Sequence, residues 1–178
     1  MNLPVLTIAS GNESKVSEIL EMLDVLSLKV QKQPEYLNVE ETGDTYFENA
    51  LLKAKAAALE TKTWALADDS GLEVDVLDGR PGIYSARYAK NNAEKIKKLI
   101  NELSDSPYRS ARFISCMVLC DSSGKLVKDT TGICWGEILK KPKYPNGEFD
   151  SIFWVKEANC VYGAVSYTHL TLPTNREV

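Results

Sequence analysis

Leu3-Pro4-Val5-Leu6-Thr7-Ile8-Ala9, followed at once by Ser10-Gly11-Asn12-Glu13-Ser14-Lys15, is the stretch that decides the class of fold. A mostly apolar, β-prone run ends at a turn-forming trio, the pattern of a short buried strand. From Glu13 onward Val16, Ile19, Leu20, Leu23 and Leu26 recur at helical spacing, with Lys15, Glu18 and Glu21 on other faces. Strand, glycine turn and helix in that order make an α/β connection. Such a connection presents the free backbone N–H groups of a helix N-terminus to an anion. Gly11 permits close backbone approach and Lys15 adds a full positive charge, so phosphate oxygens are the natural guests. The plainer alternative is an ordinary strand–helix junction with Asn12 as the helix cap. The stretch matches neither the Walker A nor the Rossmann glycine pattern.

Working outward, Thr45-x-x-Glu48 has the form of a capping box and opens a second helix expected over about Thr45–Leu59. Trp64 to Ala67 is a brief apolar run that delivers Asp68-Asp69-Ser70-Gly71, and Leu72 to Leu77 reads as a further strand, which sets the two acids at a strand's end. Pro81-Gly82 and Ser85 mark a turn-and-helix region, and Ala93 to Leu103 is helical by periodicity. Arg112–Cys120 and Lys125–Ile138 read as strands joined by a hairpin at Asp121-Ser122-Ser123-Gly124. Lys140 to Gly147 is a loop, and Ile152–Val155 a last buried strand. The expectation is one mixed α/β domain over residues 1–161. Residues 162–178 follow neither helical nor strand periodicity and read as an atypical tail, foreign or read-through in origin.

Composition narrows the function classes. The chain has 178 residues, 44% hydrophobic and 26% charged, within the globular range. A net charge of −4 argues against a nucleic-acid partner, whose binding draws on clustered Lys and Arg. No apolar run approaches the length needed to span a bilayer, and no signal-peptide pattern opens the chain, so the expected setting is the cytoplasm without a membrane partner. Cys116, Cys120, Cys134 and Cys160 lack C-x-x-C spacing and His169 is the sole histidine, which argues against zinc and reads as buried thiols rather than a disulfide.

Three groups of residues are candidates for chemistry. The Ser10–Lys15 segment is the first. The second is acidic: Glu40, Glu41, Glu48, Asp68 and Asp69, several of which are expected to converge on one hard cation, with Mg²⁺ the expected ion because it takes one or two carboxylates plus substrate phosphates. Adjacent Asp68 and Asp69 repel one another and so point to function more strongly than Glu40-Glu41, for which a solvated face is an equal explanation. The third is basic: Lys53, Lys55, Arg80, Arg87 and Arg112, each of which reads alone as a salt-bridge or solvated residue. Lys53 shares a helical face with Asn49 and is near that of Glu48.

Taken together in order, Ser10-Gly11-Asn12-x-x-Lys15, Glu41-Thr42-Gly43-x-Thr45, Glu48-Asn49-Ala50-x-x-Lys53-Ala54, Ala67-Asp68-Asp69-Ser70-Gly71-Leu72, Pro81-Gly82-Ile83-Tyr84-Ser85-Ala86-Arg87-Tyr88 and Ala111-Arg112-Phe113 resemble the non-canonical purine nucleoside triphosphate pyrophosphatases, the inosine/xanthosine triphosphatase family. The resemblance implies an elongated two-lobed α/β fold with a central mixed sheet flanked by helices, an active-site cleft between the lobes, and a homodimer. It implies hydrolysis of ITP, dITP and XTP to monophosphate and pyrophosphate, cleansing the nucleotide pool. Carried over residue by residue, it implies substrate binding by Ser10, Gly11, Asn12, Glu13, Ser14, Lys15, Lys53, Ser70, Phe149 and Asp150. Metal binding falls to Asp69 with Glu40 or Glu41, and proton acceptance to Asp69. Water then attacks the α-phosphorus while Mg²⁺, Lys15 and Lys53 neutralise the phosphates.

The sequence departs from the family pattern at two places. The family's Phe-Gly-Tyr-Asp-Pro-Ile-Phe stands here as Gly147-Glu148-Phe149-Asp150-Ser151-Ile152-Phe153. The family's closing Lys and Ser-His-Arg base-recognition segment and its last helix are not found. His169 lies in Thr-His-Leu and inherits no role. Two other readings stand beside the hydrolase: a nucleotide-binding remnant without turnover, and a non-enzymatic α/β interaction module.

Overall fold

The computed structural model describes residues 4–164, with the side chain of Ser14 outside the description, as are His169 and the rest of the expected tail from residue 165 on; the first residues of that expected tail, Tyr162–Ala164, form a 3-10 turn whose Tyr162 ring packs 5.0 Å from that of Phe113. Elements follow in the order β1 (Val5–Ile8), α1 (Glu13–Leu23), β2 (Lys29–Lys32), α2 (Tyr46–Thr61), β3 (Trp64–Val74), α3 (Asn92–Leu103), β4 (Ser110–Cys120), β5 (Leu126–Ile138), β6 (Phe153–Val155) and β7 (Cys160–Val161), with short 3-10 turns between. The strands form one mixed sheet in the order β2-β1-β3-β4-β5-β6-β7. β1 is parallel to both β2 and β3, while β6 is antiparallel to β5 and β7. This is the mixed α/β class expected, with a seven-stranded sheet flanked by helices.

The described residues divide into two compact units. The first holds the chain up to Ser70 together with Ser115–Gly132. In it, α2 turns Ala50, Ala54, Ala57 and Ala58 onto Ala65 and Ala67 of β3 and Cys116, Val118 and Cys120 of β4. Alanines at this helical spacing let a helix lie close to the sheet, because no long side chain holds the two backbones apart. α1 packs Val16 and Ile19 against Ile8, with Leu6, Leu20 and Leu66 around them. The second unit holds Gly71–Ile114 and the chain from Ile133 on. Its core joins Ile96, Leu99 and Leu103 of α3 to Leu72, Val74, Ala111, Ile138, Phe153 and Val155 of the strands.

Local chemistry explains the boundaries. Thr45 caps α2 with the full reciprocal box: Thr45 Oγ1 accepts from Glu48 N at 3.1 Å and Glu48 Oε2 accepts from Thr45 N at 3.1 Å. Asn91 caps α3, its Oδ1 accepting from Glu94 N. The hairpin between β4 and β5 closes on Asp121, whose Oδ1 accepts from Ser123 N and Lys125 N, with Gly124 at φ +78°.

Three elements differ from the expectation, the first being that the strand at Ile152–Val155, here β6, is not the last, since β7 pairs with it at Trp154–Val161 and Val155–Cys160. β3 is a single strand from Trp64 to Val74, so Asp68 and Asp69 lie in mid-strand and not at a strand's end. The strand that does end there is β1: its pairing with β3 stops at Ile8 opposite Leu66, and β3 continues past it. The short strand β2 was not expected at all; Lys29 and Lys32 bound it, as suits an edge strand that must resist further pairing.

Candidate active site

The stop of β1 creates the site. Ala9 N still donates to Leu66 O at 2.8 Å, after which the chain turns through Ser10-Gly11-Asn12 into α1. Asn12 caps that helix through Oδ1, which accepts from Lys15 N at 3.3 Å, and Ser10 Oγ accepts from Asn12 N at 3.2 Å. A Cβ built on Gly11 would meet nothing within 4 Å, so the backbone there is open to close approach. Lys15, in the first turn of α1, reaches β3: Nζ donates to Asp68 Oδ2 at 2.6 Å and to Ser70 Oγ at 2.8 Å. Glu13 is exposed and ion-paired with Lys32 on β2.

Asp69 faces the other way. Successive strand residues project to opposite sides of a sheet, so Asp68 and Ser70 meet α1 while Asp69 meets α2. There Asn49 Nδ2 donates to Asp69 Oδ2 at 3.2 Å and Lys53 Nζ lies 3.7 Å from Asp69 Oδ1, which also accepts from Ser70 N at 3.0 Å. Lys53 Nζ donates to Glu41 Oε1 at 2.7 Å, so one ammonium is shared by Glu41 and Asp69. Glu40 is exposed. Both aspartates are 6% exposed. The expectation of a mutually repelling Asp68-Asp69 pair is therefore corrected: the pleat separates them, and each has its own lysine.

Burial pushes the Asp69 carboxyl above its ordinary value, and Glu41 adds to that; Lys53, Asn49 and Lys15 oppose the rise without cancelling it. Asp68 Oδ1 is buried without a hydrogen-bond partner. Among the described residues no group of three or more His, Cys, Asp or Glu side chains forms a metal cluster by itself.

The remaining predicted residues lie in the second unit. Phe149 is 4% exposed and belongs to its core, with its ring 6.1 Å from that of Tyr88. Asp150 is engaged within its own loop: Oδ1 accepts from Glu148 N at 2.7 Å and Oδ2 accepts from the Tyr144 hydroxyl. Arg80 pairs with Glu102, and Arg112 grips Glu73 through Nε and Nη2, which bears out the salt-bridge reading for both. Sequence reasoning gave no role to Asn49 or Tyr144. The placing of Asn49 one helical turn before Lys53 was the available signal for the first; nothing local pointed to the second.

Comparison with known proteins places the chain in a family. A family model described as the Ham1 family matches residues 6–169. A dITP/XTP pyrophosphatase of Synechococcus sp. (strain CC9311) is 43% identical over 166 residues, which cover 93% of this chain and 81% of that protein. One of Synechocystis sp. (strain ATCC 27184 / PCC 6803 / Kazusa), also a dITP/XTP pyrophosphatase, is 43% identical over 156 residues, covering 87% of this chain and 80% of its own. The solved structure of a HAM1 protein from Coxiella burnetii superposes with a TM-score of 0.83 at 35% identity, over 93% of this chain and 89% of that one. With its sequence matched almost end to end and its fold shared with a solved member, this chain belongs to the Ham1 family.

Proposed function

We propose that this protein hydrolyses non-canonical purine nucleoside triphosphates (ITP, dITP and XTP) to the monophosphate and pyrophosphate, removing them from the nucleotide pool. The observation that carries the reading is the setting of Asp69. It is a buried carboxylate with a raised proton affinity, held by Asn49 and Lys53 beside Glu41, on the strand that also bears the Lys15 contact. The names of the matched relatives support the substrate class.

In this reading Asp69 accepts the proton of the water that attacks the α-phosphorus. Lys15 and the N–H groups that open α1, from the segment Ser10–Ser14, meet the phosphate oxygens, with Ser70 beside them. Asp68 aims the Lys15 ammonium. Lys53 offsets charge on the phosphates and holds Asp69 and Glu41 together. Phe149 and Asp150 are assigned to the base end by the family resemblance alone.

Mg²⁺ suits the donor set. Glu41 and Asp69 supply hard oxygens around one cationic point. Two carboxylates completed by substrate phosphates and water meet the requirement of that ion, and the sharing of Lys53 favours Glu41 over the exposed Glu40. When bound, the ion supplies neutralisation of the phosphates and of the leaving pyrophosphate. A cytoplasmic homodimer completes the reading; free thiols at Cys116, Cys120, Cys134 and Cys160 fit a reducing compartment, and the dimer rests on the resemblance.

The test is a product assay with ITP, dITP, XTP and ATP, with Mg²⁺ and with chelator. The expected result is inosine monophosphate and pyrophosphate from ITP, faster than any turnover of ATP. Equal rates overturn the selectivity, and orthophosphate as the product overturns the mechanism.

A further inference from the structure

The acidic loop ahead of α2 is fastened to that helix residue by residue. Glu48 Oε2 accepts from Asp44 N at 2.8 Å and from Thr45 N at 3.1 Å. Asn49 Oδ1 accepts from Gly43 N at 2.8 Å. Lys53, one turn further, holds Glu41. Gly43 is required for this closeness: a Cβ there would lie 2.5 Å from Glu48 Cβ and 2.9 Å from Asn49 Oδ1.

Asn49 differs from Glu48 in having a partner beyond the loop. It is fully buried, and its Nδ2 donates to Asp69 Oδ2 at 3.2 Å. The orientation of the amide follows from its neighbours. Gly43 N–H can only donate and therefore takes Oδ1, which leaves the NH₂ group to face an acceptor, the carboxylate. One rigid side chain thus spans from the backbone of the acidic loop to the acid on β3. Lys53, at i+4 on the same helical face, bridges Glu41 to the other oxygen of the same carboxylate.

We propose that Asn49 is a positioning residue that sets the distance between the Glu40–Gly43 loop and Asp69 and orients Asp69 Oδ2. The role in turnover rests on the pyrophosphohydrolase reading given above; the structural coupling does not. Asp69 without Asn49 still has Lys53 and Ser70 N on Oδ1, but nothing among its described hydrogen bonds fixes Oδ2. The carboxylate is then free to rotate about its terminal bond, and the loop loses its tie at Gly43. Partners that orient such ligand carboxylates typically account for about 10–100-fold in activity.

Asn49→Asp and Asn49→Leu separate the two bonds. The aspartate keeps an acceptor for Gly43 N–H and loses the donor to Asp69; the leucine loses both. For each, kcat and KM for ITP are measured per folded protein, along with the amide resonance and hydrogen exchange of Gly43. The expected result is a kcat lowered about 10–100-fold with KM within about threefold in both variants. Gly43 keeps its exchange protection in Asn49→Asp and loses it in Asn49→Leu. In an Asp69→Asn background, Asn49→Leu costs less than about twofold more, because residues acting as one unit are not additive. Wild-type kcat in Asn49→Asp, or a full multiplicative loss in the double variant, overturns the positioning role. The coupling is tested without turnover, and without any Asn49 variant needing to fold, by Asp69→Leu, which is expected to shift the Gly43 amide resonance. An unmoved Gly43 resonance overturns the proposal even if ITP is hydrolysed. A wild-type protein that releases no pyrophosphate while Gly43 responds overturns the functional reading and leaves the coupling standing.

Discussion

Replacing Lys15 by methionine removes the one side-chain partner that a buried carboxylate, Asp68, has among the described residues, while keeping the length of the side chain. Asp68 has an 8% exposed side chain, its Oδ2 accepts from Lys15 Nζ at 2.6 Å, and its Oδ1 is already without a partner. Leaving a buried charge unpaired costs about 3–5 kcal/mol. The Lys15 side chain is 32% exposed, so water can follow it into the gap, and the expected loss falls to about 2–3 kcal/mol. For a chain of this size that is roughly a 5–10 °C fall in Tm. Asp68→Asn in the same background removes the stranded charge, and the double variant is expected to regain most of the loss, to within about 1 kcal/mol of wild type. Urea denaturation measures this through the midpoint at constant slope. A Lys15→Met variant within about 0.5 kcal/mol of wild type, or a double variant no more stable than the single one, refutes the reasoning.

The raised pKa of Asp69 has two consequences. A folded-state value above the unfolded one means the native protein binds the proton more tightly, so stability falls as pH rises through the window from the ordinary carboxylate value to the folded one. Asp69→Asn should therefore leave Tm unchanged or higher near neutral pH, with the difference closing as pH is lowered through that window in calorimetry; a clear destabilisation at neutral pH contradicts the shift. In the metal-free protein the Asp69 carboxyl should titrate above its ordinary value, read from its side-chain carbon resonance against pH, since burial outweighs Lys53 and Asn49; a midpoint at or below the ordinary value contradicts the shift. Gly136→Ala places a Cβ 2.3 Å from Trp154 O and 2.6 Å from the Phe153 ring, where backbone cannot yield, and should cost about 2–3 kcal/mol in urea denaturation. Thr45→Ala removes the hydroxyl of the α2 capping box and should cost about 1 kcal/mol by the same measurement.

Much of the first unit was legible before any coordinates. The β1–turn–α1 order, the Thr45–Glu48 box and the Asp121–Gly124 hairpin each depend on residues close in sequence, and local chemistry specifies them. What escaped is non-local. Asp-Asp-Ser-Gly read as a break because these residues are poor strand formers, yet β3 runs through them: Lys15 and Lys53, far away in sequence, satisfy the acids from opposite faces. The same pleat defeats the argument from repulsion between Asp68 and Asp69. Asn49 stood in the family motif and on the Lys53 face of its helix, but neither gave it a role, because its two partners, Gly43 and Asp69, come from separate elements. Phe149, which the resemblance gives to the substrate, is set among core residues by the 3-10 turn at Phe149–Ser151. Lys-Val-Gln-Lys at β2 is too short and too polar to announce a strand without β1 beside it.

The central claim concerns where the triphosphate is cut and what cuts it. Hydrolysis of ITP with Mg²⁺ in ¹⁸O-labelled water, with the products separated and weighed by mass spectrometry, tests it most directly. The account predicts the label in inosine monophosphate, with unlabelled pyrophosphate as the other product, and formation of both slowed at least about 100-fold in Asp69→Asn. Label in pyrophosphate or orthophosphate, or an undiminished rate in Asp69→Asn, contradicts it.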